Sequence, residues 1–224
     1  MIICHSHRFI FFKSKKTGGT SVELALSTLC GPDDVITPVR EENLRAGRGP
    51  QNYVVPYRDW RWRLGLRAQN DRSQQFTFMA HSTARDVRRH LGADLLRRYT
   101  KVTILRNPWD REVSRYYWTR ERPGIPGEFE EFVSKVTRRH PIRLPTLMFG
   151  RNVADVMLRY EHLANDFGEF LRGLGVKEAA ELPHAKGHTR PSDAVNYRQL
   201  YNDRTRKAVE SIYRREIEEF AYQF

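Results

Sequence analysis

At 224 residues the chain is long enough to bury a core, and one domain is the expected unit. Its formal net charge of +12 points to anionic partners: nucleotide phosphates, sulfated or carboxylated glycans, nucleic acid or an acidic membrane surface. Two cysteines, Cys4 and Cys30, exclude a disulfide framework, no Cys/His spacing suggests zinc, and no stretch is long enough to span a membrane.

Arg8-Phe9-Ile10-Phe11-Phe12 predicts a strand over Phe9–Phe12 and runs straight into Lys13-Ser14-Lys15-Lys16-Thr17-Gly18-Gly19-Thr20-Ser21. The apolar-periodic residues from Val22 to Leu29 predict a helix over Thr20–Thr28. A strand, a Gly-rich turn and a helix start make an anion site. First-turn N–H groups point at the ligand, the lysines add charge, and Gly18 and Gly19 let the backbone come close. Thr20 or Ser21 can cap the helix and donate to a phosphate oxygen. A Walker loop needs Gly, four residues, then Gly-Lys-Ser/Thr; here the lysines precede the glycines, so that pattern fails. Taken alone, the turn reads equally well as an ordinary strand-to-helix connection.

A strand is predicted over Val35–Pro38. The stretch from Glu41 to Arg72 differs in character, being rich in Gly, Arg, Asn and Gln. Its interleaved Trp60, Arg61, Trp62 and Arg63 suit an anionic or carbohydrate acceptor, because guanidinium groups bind sulfate and carboxylate and indole faces stack on sugar rings. Tryptophans packed on the core beside solvated arginines account for the same pattern. The chain therefore reads as a single domain over residues 1–224 with an acceptor-side insertion at 41–72.

Further strands are predicted over Phe76–Ala80, Lys101–Leu105 and Met157–Tyr160. Helices are predicted over Thr83–His90, Pro108–Trp118, Gly127–Arg139, Ala164–Leu174 and Asp203–Phe220. This alternation predicts an α/β fold: a P-loop-like central parallel sheet flanked by helices on both faces, with ligands bound beyond the C-terminal strand edges. At one such edge stands Arg106-Asn107-Pro108-Trp109-Asp110-Arg111-Glu112-Val113-Ser114. Asn107 can cap the helix and Pro108 suits its first turn. Arg106 at the strand end and Ser114 on the helix can grip one phosphate from two sides.

Both motifs resemble those of sulfotransferases that use 3′-phosphoadenosine 5′-phosphosulfate (PAPS). Lys16-Thr17-Gly18-Gly19-Thr20-Ser21 is similar to the family's 5′-phosphosulfate loop, with Lys15 where a proline is common. Arg106 to Ser114 is similar to its 3′-phosphate motif, strand–Arg-Asn-Pro–x–Asp-Arg–x–x–Ser. The resemblance implies PAPS as donor, a carbohydrate hydroxyl as acceptor and no metal. It implies donor contacts from Lys16, Thr17, Gly18, Gly19, Thr20, Ser21, Arg106 and Ser114. It also implies that Lys16 is the catalytic lysine, neutralising charge on the bridging oxygen and sulfonate. His81, at the end of the strand over Phe76–Ala80, is similar to the base of the uronyl 2-O-sulfotransferase branch; a capping or structural histidine is the other reading of that position. The late stretch Leu182 to Ser192 is similar to the family's loop over the nucleotide, which implies contacts from Lys186, Thr189 and Arg190; a basic surface loop fits the same residues.

Carbohydrate sulfotransferases of eukaryotes usually begin with a Golgi anchor, and no signal peptide is recognised here. The expectation is a bacterial cytoplasmic enzyme, peripheral to the membrane at most, or an excised catalytic domain. Two other classes compete. A P-loop-type kinase using Mg-ATP would want a lysine after the second glycine and a metal-holding aspartate at a strand end. A non-catalytic binder of acidic glycan or nucleic acid rests on the charge and the Trp-Arg stretch, and leaves both phosphate motifs unexplained.

Overall fold

A computed structural model describes residues 1–58, 75–120, 122–176, 182 and 196–224. In chain order the elements are β1 (Ile2–Cys4), β2 (Phe9–Phe12), α1 (Gly19–Leu26), β3 (Val35–Ile36), β4 (Val54–Pro56), β5 (Gln75–Thr77), α2 (Ala84–His90), α3 (Ala93–Arg98), β6 (Thr100–Leu105), α4 (Pro108–Thr119), α5 (Phe129–Phe132), β7 (Leu147–Met148), β8 (Arg151–Asn152), β9 (Val156–Arg159), α6 (Leu163–Gly173) and α7 (Asp203–Glu219). They fall into two compact units. One comprises Met1–Ser14, Gly18–Ile104 and Leu144–Ala185, and the other Lys15–Thr17, Leu105–Arg143 and Lys186–Phe224.

The first unit is built on a five-stranded sheet ordered β3-β1-β2-β6-β9. Alternation along the strands sorts side chains onto two faces. Ile2, Cys4, Phe9, Phe11, Val102 and Ile104 pack with Val22, Ala25 and Leu26 of α1 and with Phe167, Phe170 and Leu171 of α6. Met1, Ile3, Ile10 and Phe12 pack on the opposite face with Ala84 and Val87 of α2 and Leu96 of α3. β1, β2 and β3 are buried on both faces, which is why they read as continuous apolar runs, whereas the edge strand β9 exposes Met157 and Arg159.

The sheet is mixed, which corrects the expectation of an all-parallel one. β2 and β6 are parallel, with Phe12 opposite Thr103, but β1 runs antiparallel to both β2 and β3. The reason lies in loop length: only His5 to Arg8 separates β1 from β2, and so short a connection can only fold back as a hairpin. The predicted strand over Phe76–Ala80 is also corrected. β5 covers only Gln75–Thr77 and pairs with β4 in a separate two-stranded sheet. Beyond it Phe78 N donates to Tyr53 O, and the chain turns at Met79–Ser82, where Ser82 N donates to Met79 O at 2.9 Å.

The second unit is helical. Trp109, Val113 and Tyr116 of α4, Phe129 and Phe132 of α5, Val133, and Val209 and Tyr213 of α7 form its core. The predicted helix over Gly127–Arg139 is α-helical only across α5 and continues with π geometry from Val133 to Thr137. A buried polar set lies inside this core. Glu112 accepts from Tyr213 Oη at 2.7 Å and Thr137 Oγ1 at 2.8 Å, and Arg111 pairs with Glu216. Among the described residues no helix is long and apolar enough to cross a membrane.

Candidate functional site

The loop after β2 begins with two buried residues, Lys13 and Ser14. Ser14 Oγ lies 3.0 Å from Thr103 Oγ1, which itself donates to Phe12 O at 2.9 Å, so Ser14 is the donor and the loop is pinned to β6 at its root. Lys13 Nζ donates to Glu23 Oε2 of α1 at 2.9 Å. Glu23 Oε1 accepts from Thr37 Oγ1 and from the Met1 ammonium. Burial opposes charge on Glu23, but the Met1 ammonium and Lys13 outweigh it and hold the carboxyl below its ordinary range. Lys13 is thereby committed to a buried ion pair.

Gly18 and Gly19 are required by geometry. Gly18 has φ +73, and an added Cβ would sit 3.2 Å from Tyr160 Cε2; at Gly19 it would meet Lys13 Cγ at 2.8 Å. Helix α1 starts at Gly19 with Gly18 in the cap position, and no side chain caps it. This corrects the reading of Thr20 or Ser21 as the cap: the helix begins before them, and both lie in its first turn. Ser21 N donates to Gly18 O at 3.1 Å, and a helix start of this kind, without a side-chain cap, is suited to an anion.

In the second unit Lys16 also has left-handed backbone, φ 61, unusual for a residue with a Cβ. Arg106 holds it: Nη1 donates to Lys16 O at 2.8 Å, while Nε and Nη2 reach Asp110 Oδ2 at 2.8 and 2.7 Å. Asn107 caps α4 as expected, its Oδ1 accepting from Trp109 N at 3.0 Å with Pro108 in the first turn. Its amide also donates to Gln223 O at 2.8 Å. Ser114 is half-buried on α4. One turn further, Trp118 carries the Lys16 ammonium over its ring at 5.0 Å and the Arg122 guanidinium at 3.7 Å. No sequence motif marks Trp118, although its i,i+4 spacing from Ser114 places both on one helix face. Asp110, which orients Arg106, was legible only as part of its motif.

His81 is exposed, in the turn between β5 and α2. Ser82 Oγ accepts from Met79 N at 2.8 Å, and Thr83 and Asp86 form a capping box at the start of α2. These bonds hold the backbone on both sides of the histidine. Its Nδ1 lies 2.9 Å from Lys13 O. A carbonyl only accepts, so Nδ1 carries the proton and the neutral ring has its lone pair on Nε2. His81 is therefore bonded to the root of the loop, but not through a strand of the five-stranded sheet, as its sequence context predicts.

Trp60, Arg61, Trp62 and Arg63 lie outside the described residues, as do Lys186, Thr189 and Arg190. Two surface clefts, one lined by residues of α5 and α7 and one by residues of β9 and α6, contain none of the predicted site residues.

No curated protein and no solved structure matches the chain. A family model described as "Sulfotransferase family" matches residues 1–143, a span that includes the glycine loop, His81 and the whole of α4. With well over half of its 224 residues matched, the chain belongs to the sulfotransferase family.

Proposed function

We propose that the chain moves a sulfuryl group from PAPS to a hydroxyl of a carbohydrate acceptor. The observation that supports this reading is the bond from Arg106 Nη1 to Lys16 O, which ties the lysine of the glycine loop to the arginine after β6, 90 residues further along the sequence. The donor is doubly anionic at its ends, and the residues fit such a group: an uncapped helix start, a backbone without Cβ atoms at Gly18 and Gly19, and cations at Lys16 and Arg106. When bound, PAPS supplies an activated sulfuryl group with the bisphosphate as leaving group.

In this reading the first-turn N–H groups and the hydroxyls of Thr17, Thr20 and Ser21 hold the phosphosulfate. Lys16 leaves Trp118 to neutralise charge on the bridging oxygen, and Arg106 with Ser114 takes the 3′-phosphate. His81 Nε2 removes the proton of the acceptor hydroxyl as its oxygen attacks. Lys186, Thr189 and Arg190 are assigned to the nucleotide phosphates, and Trp60 to Arg63 to the acceptor, on the sequence alone. The catalytic groups so assigned need no metal.

Calorimetric titration with adenosine 3′,5′-bisphosphate in the absence of metal, beside ATP with Mg²⁺, tests the donor site. Tight bisphosphate binding that disappears in Arg106→Ala supports the reading. A preference for Mg-ATP, or no bisphosphate binding by the wild-type chain, overturns it.

A further inference from the structure

The proposed sulfuryl transfer leaves one cluster of side chains without a role. Cys4 ends β1, and the short turn to β2 brings His7 back beside it, with Nδ1 at 3.6 Å from Cys4 Sγ. Cys30 follows the 3₁₀ turn that ends α1, and Asp34 directly precedes β3, the strand paired with β1. The sulfurs of Cys4 and Cys30 and a carboxylate oxygen of Asp34 all lie within 4.8 Å of one another, and all three residues are buried. Both thiols are free; that of Cys30 donates to Leu26 O at 3.5 Å, and that of Cys4 to Leu29 O at 3.8 Å. Asp34 is already oriented, since Oδ1 accepts from His5 N at 2.6 Å and Oδ2 from Gly31 N at 2.7 Å. Each oxygen retains a second lone pair for a cation.

We infer that Cys4, His7, Cys30 and Asp34 form a zinc site. Zn–S near 2.3 Å and Zn–N near 2.05 Å with tetrahedral angles separate sulfur from nitrogen by about 3.6 Å. The Cys4–His7 pair already stands at that spacing. The sulfur–sulfur and sulfur–oxygen edges of the same tetrahedron are about 3.8 and 3.6 Å, so Cys4, Cys30 and Asp34 close by about 1 Å at most, and the partly exposed His7 ring turns from its place beside Cys4 to complete the set. Two sulfurs and an imidazole favour Zn²⁺ over Mg²⁺ or Ca²⁺, which take oxygen ligands. On loading, both thiols lose their protons to solvent and Nδ1 gives its lone pair to the metal. Ser6 Oγ, 3.0 Å from Nδ1 and 3.3 Å from Cys4 Sγ, gives up those two contacts. Four protein ligands leave no open position, so the ion is structural: it ties the β1–β2 turn to the segment that joins α1 to β3. No single stretch of the sequence shows this site. Cys4-x₂-His7 and Cys30-x₃-Asp34 are each unremarkable until β1 and β3 pair.

The full chain, reduced and stripped of metal, is titrated with Co²⁺ and then Zn²⁺. The expected result is one Co²⁺ per chain, with a thiolate-to-cobalt charge-transfer band and the intense visible bands of a tetrahedral centre, all bleached by an equivalent of Zn²⁺. Cys30→Ser weakens or removes the charge-transfer band. His7→Ala, at a partly exposed turn where the fold tolerates change, lowers Zn²⁺ affinity by more than about tenfold. A reduced wild-type chain that shows no such band overturns the inference. So does a band that persists unchanged in Cys30→Ser.

Discussion

Gly19→Ala sets two effects of opposite sign against each other. The residue opens α1 and its φ is not left-handed, so alanine fits the backbone, and helix propensity alone would stabilise the chain by about 0.5–1 kcal/mol. The new Cβ, however, arrives 2.8 Å from Lys13 Cγ. That atom sits near the root of a buried side chain whose Nζ is held 2.9 Å from Glu23 Oε2, so it cannot simply swing away. Overpacking of this kind costs about 1–3 kcal/mol. Breaking the buried Lys13–Glu23 pair outright would cost about 3–5 kcal/mol. The steric term wins: overpacking alone leaves a net loss of up to about 2.5 kcal/mol, and a fall in Tm of up to about 10 °C for a chain of this size, while loss of the ion pair raises the net loss to about 2–4.5 kcal/mol. Thermal denaturation by circular dichroism measures it. Lys13→Ala supplies the control: with Cγ gone, the same Gly19→Ala change returns to the helical sign, and the cycle yields a coupling equal to the whole steric term, about 1–5 kcal/mol. A Gly19→Ala variant that melts higher than wild type would refute the reasoning, as would an equal cost in the Lys13→Ala background.

His81→Ala is expected to lower kcat by about 10²–10⁴-fold and leave bisphosphate affinity unchanged, because the ring is exposed and its bond goes to a backbone carbonyl; full activity rejects it as the base. Glu23→Gln is read through acid denaturation. The folded carboxyl is held below its ordinary value, so its contribution is complete at neutral pH and drains away as pH falls below about 4.5 and through the depressed value. The wild-type curve therefore drops in that window, while the Glu23→Gln variant, already less stable at neutral pH, shows a flatter acid limb. Parallel acid limbs for the two proteins would remove Glu23 from the account.

Most helices and the strands β2 and β6 were legible because their signals are local: an apolar run, a capping residue, a 3.6-residue period. Asn107 and Pro108 mark the start of α4 without help from the rest of the chain. What was not legible depended on distant partners. β1 is three residues long and offers no period, and it is a strand because Ile2 and Ile3 pair with Phe11 and Ile10 on one side and with Ile36 and Val35 on the other. β5 reads as a central strand because Phe76 to Ala80 is largely apolar, but its partner is β4, which no local pattern names. From the sequence, Gly18 and Gly19 read as permitting close approach to a ligand. The same glycines also avoid Tyr160 and Lys13, contacts that no local pattern announces. The separation of roles among the lysines likewise needed the fold, since only burial shows Lys13 to be bound to Glu23 and Lys16 to lie on Trp118.

The antiparallel hairpin leaves the functional reading intact for a topological reason. Anion-binding loops can cooperate only if they leave the sheet at the same edge, and that requires their own two strands to be parallel neighbours. β2 and β6 are such a pair, aligned with Phe12 opposite Thr103, and each is followed by a helix start. Thr103 reinforces the alignment by donating to Phe12 O while accepting from Ser14, so the loop leaves β2 already attached to its neighbour. Had β2 and β6 been antiparallel, the glycine loop and Arg106 would emerge at opposite ends of the strands, a separation that no side chain spans. Arg106 completes the arrangement by fixing the carbonyl of the left-handed Lys16, a backbone conformation that costs about 1–2 kcal/mol in isolation. A single guanidinium thus stabilises the strained residue of one motif while belonging to the other. On the proposed reading, Arg106→Ala should therefore weaken adenosine 3′,5′-bisphosphate binding by more than the removal of one phosphate contact, because Lys16 loses its anchor as well; a loss no larger than that of Ser114→Ala in the same calorimetric titration would refute it.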